Sequence, residues 1–160
     1  MRIRESIDVG APAAAVWDVI TDPVQLLYVL HNSTLWEPVD DPRGGIGARY
    51  RTRMRVGSAE VGGLVEIVEW DPGRDLAWTS VTGVDQRGRW RLRERVPGRT
   101  HVELRFAGGV AGAGLGGWLA EQVAARYIAD NTRRSVVLLK QYVELTERRK
   151  AAEARRARAG

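Results

Sequence analysis

The chain has 160 residues, a formal net charge of +5 and no cysteine. The length suits one domain with its own core, and the missing thiols exclude disulfides and cysteine-ligated metal sites. Residues 146–160 hold six basic and two acidic side chains, so the excess charge sits in the tail; the nearly neutral body is not expected to bind nucleic acid.

Arg2–Val9 alternates between Ile3, Ile7 and Val9 on one face and Arg2, Arg4, Ser6 and Asp8 on the other, which predicts a half-buried strand. Gly10 ends it, and Pro12 opens a short helix over Ala13–Ile20. Asp22-Pro23 breaks that helix, and a second one is expected over Val24–Leu30. A run of strands follows: Leu35–Val39, Ala48–Val56, Ala59–Trp70, Leu76–Val81, Arg87–Val96 and His101–Phe106. Turn clusters separate them, Asp41–Gly45, Gly57-Ser58, Asp71–Gly73 and Pro97-Gly98 among them, too short for parallel crossovers. Two of the strands set every second position to arginine, Arg49 to Arg55 and Arg87 to Arg95. That pattern reads as an outer face paired with acids on neighbouring strands.

Gly108–Gly117 is a glycine-rich connection. Its G-x-G lies after a meander strand, so a dinucleotide loop is not expected, and a hinge for the following helix is. Trp118 to about Leu145 carries a helical stripe that includes Val123, Tyr127, Ile128, Ser135, Leu138, Leu139 and Tyr142. Residues 1–145 are expected to form the domain, and 146–160 a basic helical extension or frayed tail. No apolar run approaches the roughly 18 residues of a membrane span. The charged N-terminus lacks the apolar stretch of a signal peptide, so a cytoplasmic protein is expected.

The order strand, two short helices, six strands, long helix resembles the START-like (SRPBCC) superfamily, in particular its bacterial polyketide cyclase/dehydrase branch. The resemblance is carried by Ala11–Trp17, Gly45–Tyr50, the hairpin Glu69–Trp78, and Gly88–Leu92 followed by Gly98–Val102, and covers roughly residues 1–145. It implies an α+β helix-grip fold, a curved seven-stranded antiparallel sheet around the C-terminal helix, with a cavity between the two.

Strand parity then nominates Tyr50, Thr52, Met54, Trp78, Ser80, Trp90, Leu92, Leu104 and Phe106 as inward residues of that cavity. Tyr127, Asn131 and Ser135 join them from the helix, and Tyr28, His31 and Trp36 from the entrance side. Apolar walls with few polar groups are what small-molecule sites look like. His31, Tyr50 and Tyr127 are the candidates for acid–base or orienting roles. His101, on the charged face of its strand, and Glu94, near a strand end, are both expected in solvent. Two distant histidines without cysteine argue against a metal site, and no cofactor is expected. The leading expectation is binding of a hydrophobic or aromatic small molecule, lipid or polyketide-like. The alternatives are a polyketide cyclase/aromatase or dehydratase, and an interaction protein using the arginine faces and the tail.

Overall fold

The structure is a computed structural model, and it describes residues 1–40, 43–109 and 115–160, with the side chains of 115–119 outside the description. The elements are β1 (Arg2–Val9), α1 (Ala13–Thr21), α2 (Pro23–Val29), β2 (Ser33–Pro38), β3 (Arg49–Val56), β4 (Ala59–Asp71), β5 (Asp75–Gly83), β6 (Asp85–Val96), β7 (Arg99–Gly109) and α3 (Leu115–Ala159). All seven strands form one antiparallel sheet in the order β1-β7-β6-β5-β4-β3-β2. The sheet curls into a half-barrel that grips α3, which lies against β1, β7 and β3 and against α1 and α2. This is the α+β helix-grip fold that the element order implied.

Local chemistry explains the joints. Asp22-Pro23, which ends α1, also starts α2: the Asp22 carboxylate accepts from the backbone N–H of Val24 and Gln25, and Pro23 takes the first-turn position. Glu94 is exposed as expected, yet its Oε1 accepts from the Ala13 N–H at 2.6 Å, so the end of β6 caps α1. Thr100, fully buried, donates to the Ala11 carbonyl at 2.7 Å and fixes the chain entering that helix. His101, expected in solvent, is instead half-buried against Asp8, which lies directly opposite on β1 and hydrogen-bonds its Nδ1 at 2.7 Å.

α3 is 45 residues long, about 68 Å at 1.5 Å per residue. Its buried face is Ala124, Ile128, Asn131, Thr132, Ser135, Val136, Leu139 and Val143. Val123 and Tyr127, expected on that face, are exposed. The face is set one residue further along, where small Ala124 leaves space above the sheet. The stretch beyond Leu145 continues as helix to Ala159, its side chains mostly in solvent. No described helix is long and apolar enough to cross a membrane. The hinge expected at Gly108–Gly117 falls largely on residues 110–114, outside the described residues.

The arginine faces are partly neutralised. Arg89 pairs with Glu69 and Asp75, Arg93 with Asp75, and Arg49 with Glu66. Glu103, only 4% exposed, is held between Arg4 and Arg105. Burial pushes its carboxyl up in pKa, but the hydrogen bonds and charges of Arg105 and Arg4 outweigh that and hold it below its ordinary value. A carboxyl depressed in the folded state contributes stability in full above its unfolded pKa of about 4.3 and loses it as pH falls through the folded value. Asp75 acts in the same direction through Arg93 and Arg89. The urea midpoint is therefore expected to fall as pH drops below about 4.3. Glu103→Gln should cost about 1 kcal/mol at neutral pH, the arginines being largely solvated, and flatten that acid slope. An unchanged slope in the variant would remove Glu103 from the account.

Candidate functional site

Between the sheet and α3 lies a chamber of about 60 Å³, walled by Leu30, His31, Ser33, Trp36, Thr52, Met54, Val61, Trp78, Val84, Gln86, Leu104, Phe106, Ile128, Asn131, Thr132 and Ser135, with Arg53 and Gly62 at its edge. Met54, Val61, Gly62, Val84, Phe106 and Ile128 also line a second, wider space of about 560 Å³ toward Met1, Val56, Gly83, Gly109 and Ala124. The two share these six wall residues, the smaller a narrow inner chamber and the larger an open vestibule.

Trp36 and Trp78 form the aromatic floor, edge to face with centroids 5.4 Å apart. Tyr50 stands behind Trp36 at 5.6 Å and supports it from the core without lining the chamber. Burial pushes the Tyr50 phenol up in pKa, so it stays neutral at physiological pH. Gly88, opposite Trp78 on β6, makes room for the indole: a Cβ there would overlap Cζ2, Cε2 and Cη2. On the far wall, Gly62 lets β3 and β4 approach closely, since a Cβ would run into the Thr52 carbonyl.

Thr52, Gln86, Asn131, Thr132 and Ser135 have hydrogen-bond partners within the protein, while the Trp78 indole N–H in the floor is buried without one. Thr52 donates to the Gly63 carbonyl at 3.3 Å and accepts from Gln86 Nε2 at 3.2 Å. Ser135 Oγ accepts from the His31 N–H at 2.9 Å and donates to the Asn131 carbonyl at 2.6 Å. Asn131 accepts from Asn32 Nδ2 at 2.8 Å and donates to the Arg55 carbonyl at 3.2 Å. Asn131 and Ser135 therefore bolt the turn after α2 onto α3, and that turn includes Asn32 with φ of 63°. They hold the wall in place and leave the chamber a mainly apolar interior. No carboxylate among the described residues lines the inner chamber. Among the described residues no group of three or more His, Asp or Glu side chains is placed to hold a metal ion.

Of the residues nominated from sequence, Trp36, Thr52, Met54, Trp78, Leu104, Phe106, Asn131, Ser135 and His31 stand together in this wall. Tyr28 does not: it is 64% exposed and stacks on Tyr142 at 5.8 Å, on the outer side of α2. Tyr127 is 45% exposed and covers Gly57 at the β3–β4 turn, so neither tyrosine can orient a molecule in the chamber. Trp90 and Leu92 point inward but are buried in the closed core below the chamber floor. Ser80 is spent on the β5–β6 hairpin, where its Oγ accepts from the Gln86 N–H at 3.2 Å.

Sequence reading missed Gln86, Val84, Val61, Ile128 as a wall residue, and Thr132. Gln86 was findable, since it shares the parity of Gly88 and Trp90 one step before the expected strand start. Val61 and Gly62 were obscured by the glycine pair. The register shifts of β4 against β5 fall beyond it, at Leu64/Val65 and Ile67/Glu69.

The sequence model of the family described as polyketide cyclase/dehydrase and lipid transport matches residues 1–144. Comparison with curated proteins returns no match. Among solved structures, one from Thermus thermophilus superposes with TM-score 0.78 at 20% identity, covering 91% of this chain and 99% of the other. The Zhui aromatase/cyclase from a Streptomyces species gives 0.77 at 19%, covering 90% and 93%. A START superfamily protein from Mycobacterium smegmatis gives 0.64 at 11%, covering 91% and 98%. These identities speak for the fold, and the match over residues 1–144 speaks for the lineage: the chain belongs to the polyketide cyclase/dehydrase and lipid transport family.

Proposed function

We propose that this protein binds a flat apolar small molecule, aromatic or lipid-like, in the vestibule, with one end inserted toward Trp36 and Trp78. The observation that carries this reading is the pair of mainly apolar spaces that meet at Met54, Val61, Phe106 and Ile128, between the aromatic floor and Ala124. The inner chamber, at about 60 Å³, has room for a few waters or the tip of a ligand. The vestibule, at about 560 Å³, is in the range of small-molecule sites. Apolar walls over an indole pair favour a ligand that offers area and a ring face. A family that spans polyketide cyclases and lipid transport supports the same ligand class.

A second reading is a cyclase acting on a polyketide chain, favoured by the place of His31, the one histidine in the chamber wall. Its imidazole would take a proton from an acidic methylene while the aromatic floor holds the chain folded. His31→Ala separates the two readings: binding persists in both, but cyclised product from a poly-β-ketone substrate is lost only under the second.

The binding reading is tested with N-phenyl-1-naphthylamine, a neutral aromatic probe excited by energy transfer from the floor tryptophans. Saturable uptake by the wild type is expected. Ile128→Trp, which fills the junction of chamber and vestibule, should weaken it at least about tenfold, the equivalent of 1.4 kcal/mol. Tyr127→Ala, outside the cavity, should leave it unchanged. Uptake that ignores Ile128→Trp would contradict the reading.

A further inference from the structure

The outer face of the sheet carries a feature that cavity binding does not use. In β1, β7 and β6, Arg2, Ala107 and Arg87 stand side by side in register, and the next row in the same direction is Arg4, Arg105 and Arg89. Five guanidinium groups thus surround one alanine. They rim a concave surface of about 570 Å³ on which Ala77 and Ala107 lie low between long side chains. Like charges directly opposite one another on neighbouring strands repel, and here three arginines follow one another without interruption. Glu103 binds Arg4 and Arg105 from the row below, and Glu69 and Asp75 bind Arg89. The side chains of Arg2 and Arg87 have no hydrogen-bond or ion-pair partner among the described residues, and both residues are exposed. Arg2 and Arg87 stand about 10 Å apart, two strand spacings, with Ala107 between them, so both forks reach a group seated over the alanine.

We propose that this notch is a binding site for a phosphate ester, its oxygens held over Ala107 by Arg2 and Arg87 with Arg105 beneath. Arginine forks match phosphate oxygens in pairs. The small alanine leaves the volume that a phosphate needs, and a larger residue would close it. The arginines stand on the sheet face opposite the chamber, although Trp78 and Phe106 line both the notch and the chamber.

The test follows the arginine Nε–Hε NMR signals at low salt during titration with phenyl phosphate and with pyrophosphate. Saturable shifts at Arg2, Arg87 and Arg105 are expected. Arg87→Gln should weaken binding about tenfold, as loss of one charge-assisted contact does. Ala107→Leu keeps every charge but fills the notch, and should weaken it at least as much. Flotation with phosphatidylcholine vesicles containing phosphatidic acid identifies the source. Binding that both variants abolish makes the phosphate a lipid headgroup, and soluble esters binding alone makes it a free metabolite. Shifts that never saturate, or that persist in Ala107→Leu, overturn the proposal as diffuse attraction. Binding of a glutamate-rich peptide with no response to either phosphate probe overturns it in favour of an acidic protein partner. Uptake of N-phenyl-1-naphthylamine should be the same in both variants, which keeps this test separate from that of the cavity.

Discussion

Gly88→Ala is expected to destabilise the domain by roughly 3 kcal/mol, at the upper end of what overpacking a core costs. For a chain of this size that lowers Tm by roughly 6–12 °C. The reason is local. The Trp78 indole lies across Gly88 on the neighbouring strand, and the new Cβ would occupy the indole's own space. The indole cannot slide away cheaply, because Trp36 meets it edge-on and Tyr50 backs Trp36. Displacing it also tilts the floor of the chamber, so N-phenyl-1-naphthylamine uptake should fall together with Tm. The double variant Gly88→Ala/Trp78→Leu should lose less stability than the sum of the single changes, because the smaller side chain clears the clash. Thermal melts of the four proteins in that cycle decide it; strict additivity would mean that the clash is not the cause.

Trp90→Ala is expected to have the largest effect on stability of any single truncation, about 3–5 kcal/mol. Trp90 is 0% exposed and is the largest fully buried side chain. With total stabilities of about 5–15 kcal/mol in ordinary domains, such a loss approaches unfolding. Trp90→Phe should cost much less than Trp90→Ala, for two reasons. It keeps most of the packed area, and it removes an indole N–H that is buried without a partner. Chemical denaturation of the three proteins checks the order. A Trp90→Ala variant as stable as wild type would show that this part of the core is empty.

Trp90 also shows where reading the sequence stops. Alternation along β3, β6 and β7 places residues on the inner or outer face, and Thr52, Met54, Leu104 and Phe106 are found in the chamber wall accordingly. Parity gives the face and not the depth. Trp90, Leu92 and Tyr50 share the inward face but sit where the half-barrel closes and the core is solid. Depth is set by where α1, α2 and α3 meet the sheet, and no local pattern encodes that. On α3 the error has another source. Large apolar side chains at Val123 and Tyr127 outweigh Ala124 in any reading by hydrophobicity, while the open space over the sheet favours the smaller residue there. Tyr28 failed for a similar reason, its ring being held by Tyr142 across the α2–α3 surface. Asn131 and Ser135 were legible as inward polar residues, but their partners are a turn about a hundred positions earlier in the chain. Pairings of that range appear only once the fold has formed.

The fold itself was more legible than the site. Each short connection between alternating runs requires an antiparallel neighbour, and one long amphipathic helix is left to cover the sheet. The arginine rows were visible as a pattern. Their arrangement around Ala107 depends on the register of β1 and β6 against β7, which a single strand does not carry.

The central claim is that the space between sheet and α3 holds an apolar small molecule. The most direct measurement is mass spectrometry of the organic extract from natively purified protein, with Ile128→Trp prepared in parallel. The account predicts an apolar or aromatic compound in stoichiometric amount from the wild type and its loss from the variant, with both proteins folded. The same compound recovered equally from both, or a wild type that yields none and takes up no N-phenyl-1-naphthylamine, would contradict it.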